Sequence, residues 1–320
     1  MKFGTVATFT GVLLGLAHAA AALELTLLDT WSDTFSATTT TWRVQASAPA
    51  EVGWQLVLGS ATVDRGQRTV ADAAQPIELP VRTPALRDGV PGQATLLITA
   101  TAGGQSARLE HPVYLLPADP WSGLRAQLAA GPVRMFDPEG TLAPRLREAG
   151  AETALMRNPA AIAALTNGLL LVSEGVSLRA QRGLVDALVR AAAGGTRVLL
   201  LAPVDGALPL PGHEGWAGLP RPAVRLEGVQ ALRQLDKRLD VVAWPGRPSA
   251  LASACVLSAD RRQPEATWST GPDGWAWMDL DFREAGGGRL LAVGWAPVAA
   301  WDQGPAPRHI LAALVRHVVE

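Results

Sequence analysis

The chain has 320 residues and a net charge of −1, with 48% hydrophobic and 18% charged residues. That length leaves room for about two domains and enough apolar material for sizeable cores, which excludes a globally disordered chain. The near-zero charge excludes the basic footprint of a nucleic-acid binder, and the single cysteine, Cys255, excludes an internal disulfide and a cysteine-built metal site.

The first predicted element is a leader. Met1-Lys2 is a short positive start, Phe3 to Leu16 is mostly apolar, and Ala17-His18-Ala19 or Ala20-Ala21-Ala22 offers small residues for cleavage. This is the pattern of a secretory signal peptide over residues 1–22, so the mature chain is expected to be secreted or periplasmic. The apolar run is short for a membrane span, and no other long apolar run follows.

From residue 23 to about 117 the hydrophobic period is two. Trp42 and Val44 alternate with polar neighbours, as do Trp54, Leu56 and Leu58, and then Ile77, Leu79 and Val81. Two further runs, Ala94 to Ala102 and Ala107 to Leu116, flank Gly103-Gly104-Gln105, a hairpin turn. The expectation is a small antiparallel β-sandwich of immunoglobulin-like size. Trp42 and Trp54 belong to inward faces and are expected in its core, with sugar stacking as the alternative role. Leu116-Pro117-Ala118-Asp119-Pro120-Trp121 then reads as a stiff domain boundary.

From residue 118 to 320 strands alternate with helices. Val133 to Phe136 is a strand and Leu142 to Ala149 a helix. Thr153 to Met156 is a strand and Pro159 to Leu165 a helix. The central unit is Gly168 to Pro203. Leu169 to Val172 and Val198 to Ala202 are apolar runs of the length expected for strands buried on both faces. Between them Ser177 is the expected N-cap of a helix burying Leu184, Val185, Leu188, Val189 and Ala192, closed by Gly194. Gly206 to Pro222 reads as a long surface loop carrying His213. Val224 to Val229, Val241 to Trp244, Cys255 to Leu257, Thr267 to Ser269 and Trp275 to Phe282 are further strands. Arg289 to Val293 is the last strand, and Pro305 to Val319 a closing helix. The expected class is an α/β, flavodoxin-like parallel sheet domain preceded by the small all-β sandwich.

Three pieces carry a resemblance. They are the apolar strand with a polar end, Leu169 to Glu174; Gly194-Gly195-Thr196-Arg197-Val198-Leu199 after the helix; and Gly287 to Trp295 with the closing helix. Together they resemble the class I glutamine amidotransferase-like fold, in the non-catalytic branch of extracytoplasmic proteins. The resemblance would place a Cys nucleophile on the turn Ala202-Pro203-Val204-Asp205-Gly206, which holds neither Cys nor Ser, and no His-x-Glu pair follows. Glutamine hydrolysis is therefore not expected.

Open α/β sheets bind ligands beyond the carboxyl ends of their strands. That rule nominates Asp137, Glu139, Ser173, Glu174 and Asp205, and the long loop adds His213 as a ligand-binding candidate. Paired carboxylates serve acid–base work or cation binding, but equally cap helices and turns. Cys255 has small and apolar neighbours and is expected to be an inert, buried thiol. Asp279 and Asp281 alternate along a strand, on a face expected to be solvated, and Arg308 with His309 is expected on a helix surface. No metal and no cofactor are expected. The reading is a secreted or periplasmic binding or scaffolding module whose partner is carbohydrate or an envelope protein. The alternative is a glycan-directed hydrolase using strand-end carboxylates.

Overall fold

A computed structural model of the chain describes residues 22–29, 31–87, 90–211, 216, 218–236, 256–259, 265–269 and 274–320. The leader, His213, Val241 to Trp244 and Cys255 lie outside the described residues.

The N-terminal half is two facing sheets, antiparallel except at one edge. Strands β1 (Leu25–Leu27), β3 (Thr39–Ala46) and β6 (Ile77–Arg82) form one. The other has the order β2 (Asp33–Phe35), β8 (Gln105–Leu116), β7 (Gly92–Ala102), β4 (Ala50–Leu58) and β5 (Ala61–Val70), with β2 parallel to β8. Alternation decides the faces: in β4, Ala50, Val52, Trp54 and Leu56 are buried while Glu51 and Gln55 are exposed. Trp42 is fully buried, stacks on Trp31 with centroids 4.6 Å apart, and donates its indole N–H to the Trp31 carbonyl at 3.2 Å. Both Trp42 and Trp54 are core residues, so neither ring is free to stack on a sugar.

The C-terminal half is organised on a seven-stranded sheet. Its order is β10 (Thr153–Leu155), β9 (Val133–Phe136), β11 (Leu169–Val172), β12 (Arg197–Leu201), β18 (Arg289–Val293), β17 (Trp277–Asp281) and β14 (Ala223–Glu227). Consecutive residues of the central strands go to opposite faces. Leu169, Leu171, Leu199, Leu201, Leu291 and Val293 join one core, whereas Leu170, Val172, Val198, Leu200, Leu290 and Ala292 join the other. Both faces are covered, which is why these strands read as unbroken apolar runs. The first core is closed by α1 (Arg125–Ala130), α2 (Ala143–Glu148), α5 (Ala231–Leu235) and α6 (Pro305–Val319); the second by α3 (Pro159–Ala163) and α4 (Leu184–Ala193).

The expected flavodoxin-like parallel class is overturned. The described residues are mostly β, 41% strand against 20% helix. The large sheet is mixed, because β17 runs antiparallel to both β18 and β14. A separate three-stranded antiparallel sheet joins β13 (Ala207–Pro209), β16 (Glu265–Ser269) and β15 (Val256–Ala259), so the segment read as a bare loop after Gly206 contributes a strand. The physical reason lies in connection length. Phe282 to Gly288 holds one 3-10 turn, too short for the crossover that a parallel neighbour requires, so the chain must reverse. Gly288 is tight-packed at this reversal: a Cβ there would sit 2.2 Å from the Thr196 carbonyl oxygen.

Other expectations change in detail. The central helix starts at Leu184, behind Gly183 at φ 77°, and not at Ser177. Asp279 is 2% exposed rather than solvated; its carboxylate takes two bonds from the Arg289 guanidinium, at 2.9 and 3.0 Å. Arg308 and His309 lie where the two halves meet. Arg308 packs 5.1 Å over the Phe35 ring, His309 Nε2 donates to the Pro117 carbonyl at 2.9 Å, and Asp33 accepts from the Ala306 amide at the start of α6. No helix among the described residues is long and apolar enough to cross a membrane.

Candidate functional site

The parallel strands β9, β11, β12 and β18 all deliver their carboxyl ends to one edge of the sheet. The turns that leave them form a cleft of about 700 Å³. Glu139, Thr141, Pro144 and Arg145 come from the segment after β9, Glu174 and Gly175 follow β11, and Ala202 and Val204 follow β12. Ala296, Val298, Ala299 and Asp302 follow β18. The walls are largely aliphatic, no aromatic ring lines them, and the rim carries three carboxyl groups against one guanidinium. Arg145 is already engaged: it bonds Glu148 at 3.2 Å, approaches Asp302 at 3.9 Å and lies 5.1 Å over the buried Trp301 ring.

Each strand-end carboxylate has a distinct local role. Asp137 is 4% exposed and accepts from the amides of Thr141, Leu142 and Ala143 at 3.0–3.2 Å, satisfying donors at the start of α2. It lines a smaller cavity of about 290 Å³ beside β10, not the main cleft. Asp205 accepts from the Ser177 hydroxyl at 2.8 and 2.9 Å and from the Arg179 amide at 3.1 Å. The Ser177 hydroxyl, followed by the Arg179 amide, holds this carboxyl below its usual range. Glu139 is exposed on the cleft rim. Ser173 is fully buried, and its hydroxyl has no hydrogen-bond partner.

Glu174 is the one strand-end carboxyl that is both half-buried and in the cleft. Its Oε1 accepts from the Val298 amide at 2.5 Å and its Oε2 from the Ala299 amide at 2.8 Å, so it ties the turn after β11 to the segment after β18. Burial pushes the carboxyl up to about 7, against the two amides that favour its charged form. Ala202 lies beside it at φ 26°, a left-handed backbone for a non-glycine residue. Its N–H donates to Val293 O and its carbonyl accepts from Gly175 N, so the surrounding strands hold the strained turn in place.

The structure thus brings Glu139 and Glu174 together, and sends Asp137 and Asp205 to separate turns. His213 lies outside the described residues. Arg145, Asp302 and the Val298 and Ala299 amides were not nominated from sequence. They lack a local signal, because the cleft is assembled from four separate segments spread from Glu139 to Asp302. Among the described residues no group of three or more His, Cys, Asp or Glu side chains could hold a metal ion.

No known protein family matches the chain, and no curated protein matches it. Solved structures give faint likenesses. An engineered protein shares 18% identity, with 31% of this chain and 21% of that one covered and a TM-score of 0.24. A family 123 glycoside hydrolase from Clostridium perfringens, described for glycolipid glycan hydrolysis, shares 11% over 56% of this chain and 38% of its own, with a TM-score of 0.21. Cwp6 from Clostridium difficile shares 9% over 68% and 44%, with a TM-score of 0.22. The chain spans less than half the length of each, and at these scores none demonstrates a shared fold.

Proposed function

We propose that this protein is a non-catalytic, extracytoplasmic binding module whose ligand seat is the cleft at the carboxyl edge of the large sheet. The observation that carries this reading is the use made of the strand-end carboxylates. Asp137, Glu174 and Asp205 each accept backbone amides on different turns, and so brace the walls of a cleft instead of converging on one point inside it. Cavities of this volume with mostly apolar walls suit a small ligand. Glu139, Glu174 and Asp302 against Arg145 favour a compact apolar body bearing a basic group. The leader-like composition of residues 1–22 supports placement outside the cytoplasm. Carbohydrate association remains part of the proposal, on a surface other than this largely aliphatic cleft.

The test is calorimetric titration with benzylamine and with its uncharged counterpart benzyl alcohol. The amine is expected to bind at least about tenfold more tightly, a difference of about 1.4 kcal/mol, and Val204→Trp is expected to abolish binding of both. Equal affinities, or indifference to Val204→Trp, would overturn the assignment. A second reading, hydrolysis through Glu174, is favoured by one observation: a carboxyl pushed up to about 7 is tuned for proton transfer at neutral pH. Turnover of a glycoside substrate by the native chain that disappears in Glu174→Gln would establish that reading instead.

A further inference from the structure

The second large concavity lies on the other half of the molecule, on the outer face of the five-stranded sheet. It measures about 650 Å³. Two cross-strand rows build it. Gln67, Gly53, Thr99 and Arg108 are register partners across β5, β4, β7 and β8; Arg65, Gln55 and Leu97 form the row beside them, running on to Glu110. Gln55, Arg65, Gln67, Thr99 and Arg108 are exposed, and Gly53 and Leu97 are half-buried, so a trough with a bare floor crosses the middle of the sheet.

The floor is bare at Gly53, in the middle of β4; the nearby Gly66 of β5 is the register partner of Trp54 and faces the core. Glycine weakens a strand, and in a strand interior it marks a bulge or a place where something approaches the backbone closely. Gly66 has a packing reason: a Cβ there would lie 2.0 Å from the Trp54 ring, which covers it. Gly53 has no such reason. Its φ is not in the left-handed region, and the nearest atom a Cβ would meet is the Thr99 hydroxyl at 3.3 Å, a side chain that can move. A larger residue on the floor of the trough therefore requires only a small shift of the exposed Thr99 side chain. A register shift between Leu56 and Val57 adds local twist to β4 beside it.

The chemistry of the walls identifies the occupant. Two side-chain amides and a hydroxyl both donate and accept hydrogen bonds, as sugar hydroxyls do. Arg108 is paired with Glu110 at 2.6 Å, which leaves Arg65 as the one lining cation without an opposite charge beside it in these rows. A trough this close to neutral offers a polyanion little, and a lone Leu97 offers an apolar peptide little. We infer that the trough is a binding site for a neutral oligosaccharide, with Gln55, Gln67 and Thr99 reading its hydroxyls and the floor at Gly53 admitting the sugar ring. This gives the proposed binding module a second ligand, on a site that shares no residue with the cleft.

The experiment is titration of the full chain with cellohexaose, xylohexaose, maltohexaose and chitohexaose, with polygalacturonate as the anionic comparison. At least one neutral hexasaccharide is expected to bind. Gly53→Val is expected to weaken it by about tenfold or more while leaving the melting temperature equal or higher, because valine suits a strand better than glycine. The exposed pair Gln55→Ala and Gln67→Ala serves as the second probe should Gly53→Val misfold, with the same expected loss. The cleft variant Val204→Trp is expected to leave the saccharide affinity unchanged, which separates failure of this site from failure of the cleft. Absence of binding to all four neutral sugars, binding to polygalacturonate alone, or affinity unaffected by both Gly53→Val and the glutamine variants would each overturn the inference.

Discussion

Replacing Glu174 by glutamine removes a titrating carboxyl from the join between the turn after β11 and the segment after β18. In the folded protein burial carries this group from 4.5 to about 7. Between those values the folded chain holds a proton that the unfolded chain has released, so its contribution to stability is full below pH 4.5 and is lost as pH rises to about 7. Each pH unit of displacement corresponds to about 1.4 kcal/mol, a ceiling of roughly 3 kcal/mol. Partial exposure and solvent screening bring this to about 2 kcal/mol. Glutamine keeps one acceptor for the Val298 and Ala299 amides and turns an NH₂ group toward the other, which costs about 1–2 kcal/mol at any pH. Glu174→Gln is therefore expected to be less stable than the native protein by about 3–4 kcal/mol at pH 5, with the gap narrowing to the constant cost of about 1–2 kcal/mol by pH 8. Urea denaturation at several pH values between 4.5 and 8 reads both curves. Parallel curves over that range would refute the claim that Glu174 titrates in its folded environment.

Three further perturbations test the account. Arg289→Met strands the Asp279 carboxylate inside the C-terminal half and is expected to cost about 3–5 kcal/mol, most of it recovered by adding Asp279→Leu; a loss below about 1 kcal/mol in urea denaturation would contradict the burial of this pair. His317 packs against Trp277, and burial, followed by the Arg289 charge, lowers its midpoint from 6.5 to about 4, so at pH 7 it is neutral and its 4.0 Å approach to Asp279 is not an ion pair. Its contribution is present above pH 6.5 and lost as pH falls toward 4, by about 2 kcal/mol after screening, and His317→Gln is expected to flatten that acid limb in thermal melts. Ser173→Ala removes a buried hydroxyl that has no partner and is expected to raise stability by up to about 1 kcal/mol; a loss of stability in chemical denaturation would show that the hydroxyl is bonded after all.

Much of the local structure was legible because it rests on periodicity. Alternation through Trp42–Val44 and Trp54–Leu56 follows from the two-residue repeat of a strand with one wet face. The unbroken runs Leu169–Val172 and Val198–Leu201 follow from burial on both. The closing helix over Pro305–Val319 carries its apolar positions at helical spacing. Misreadings arose where the deciding partner is distant in sequence. Ser177 has the composition of a helix cap, but Asp205, twenty-eight residues on, takes its hydroxyl. Asp279 looks like a solvated strand position until Arg289 arrives from the neighbouring strand. Arg308 and His309 look like surface residues until Phe35 and Pro117 of the other half cover them.

For the cleft, the amino-acid order alone determined which turns carry carboxylates, because polar residues at the ends of apolar strands are visible one by one. It did not determine the direction of β17 or the pairing of Glu174 with amides 124 and 125 residues away. Those depend on connection length and on which backbone donors the fold leaves open, and both are settled only when the sheet closes. The trough on the sandwich has the same origin. A glycine in a strand is plain in the sequence, but only the register of four strands shows that Gly53 is surrounded by hydrogen-bonding side chains.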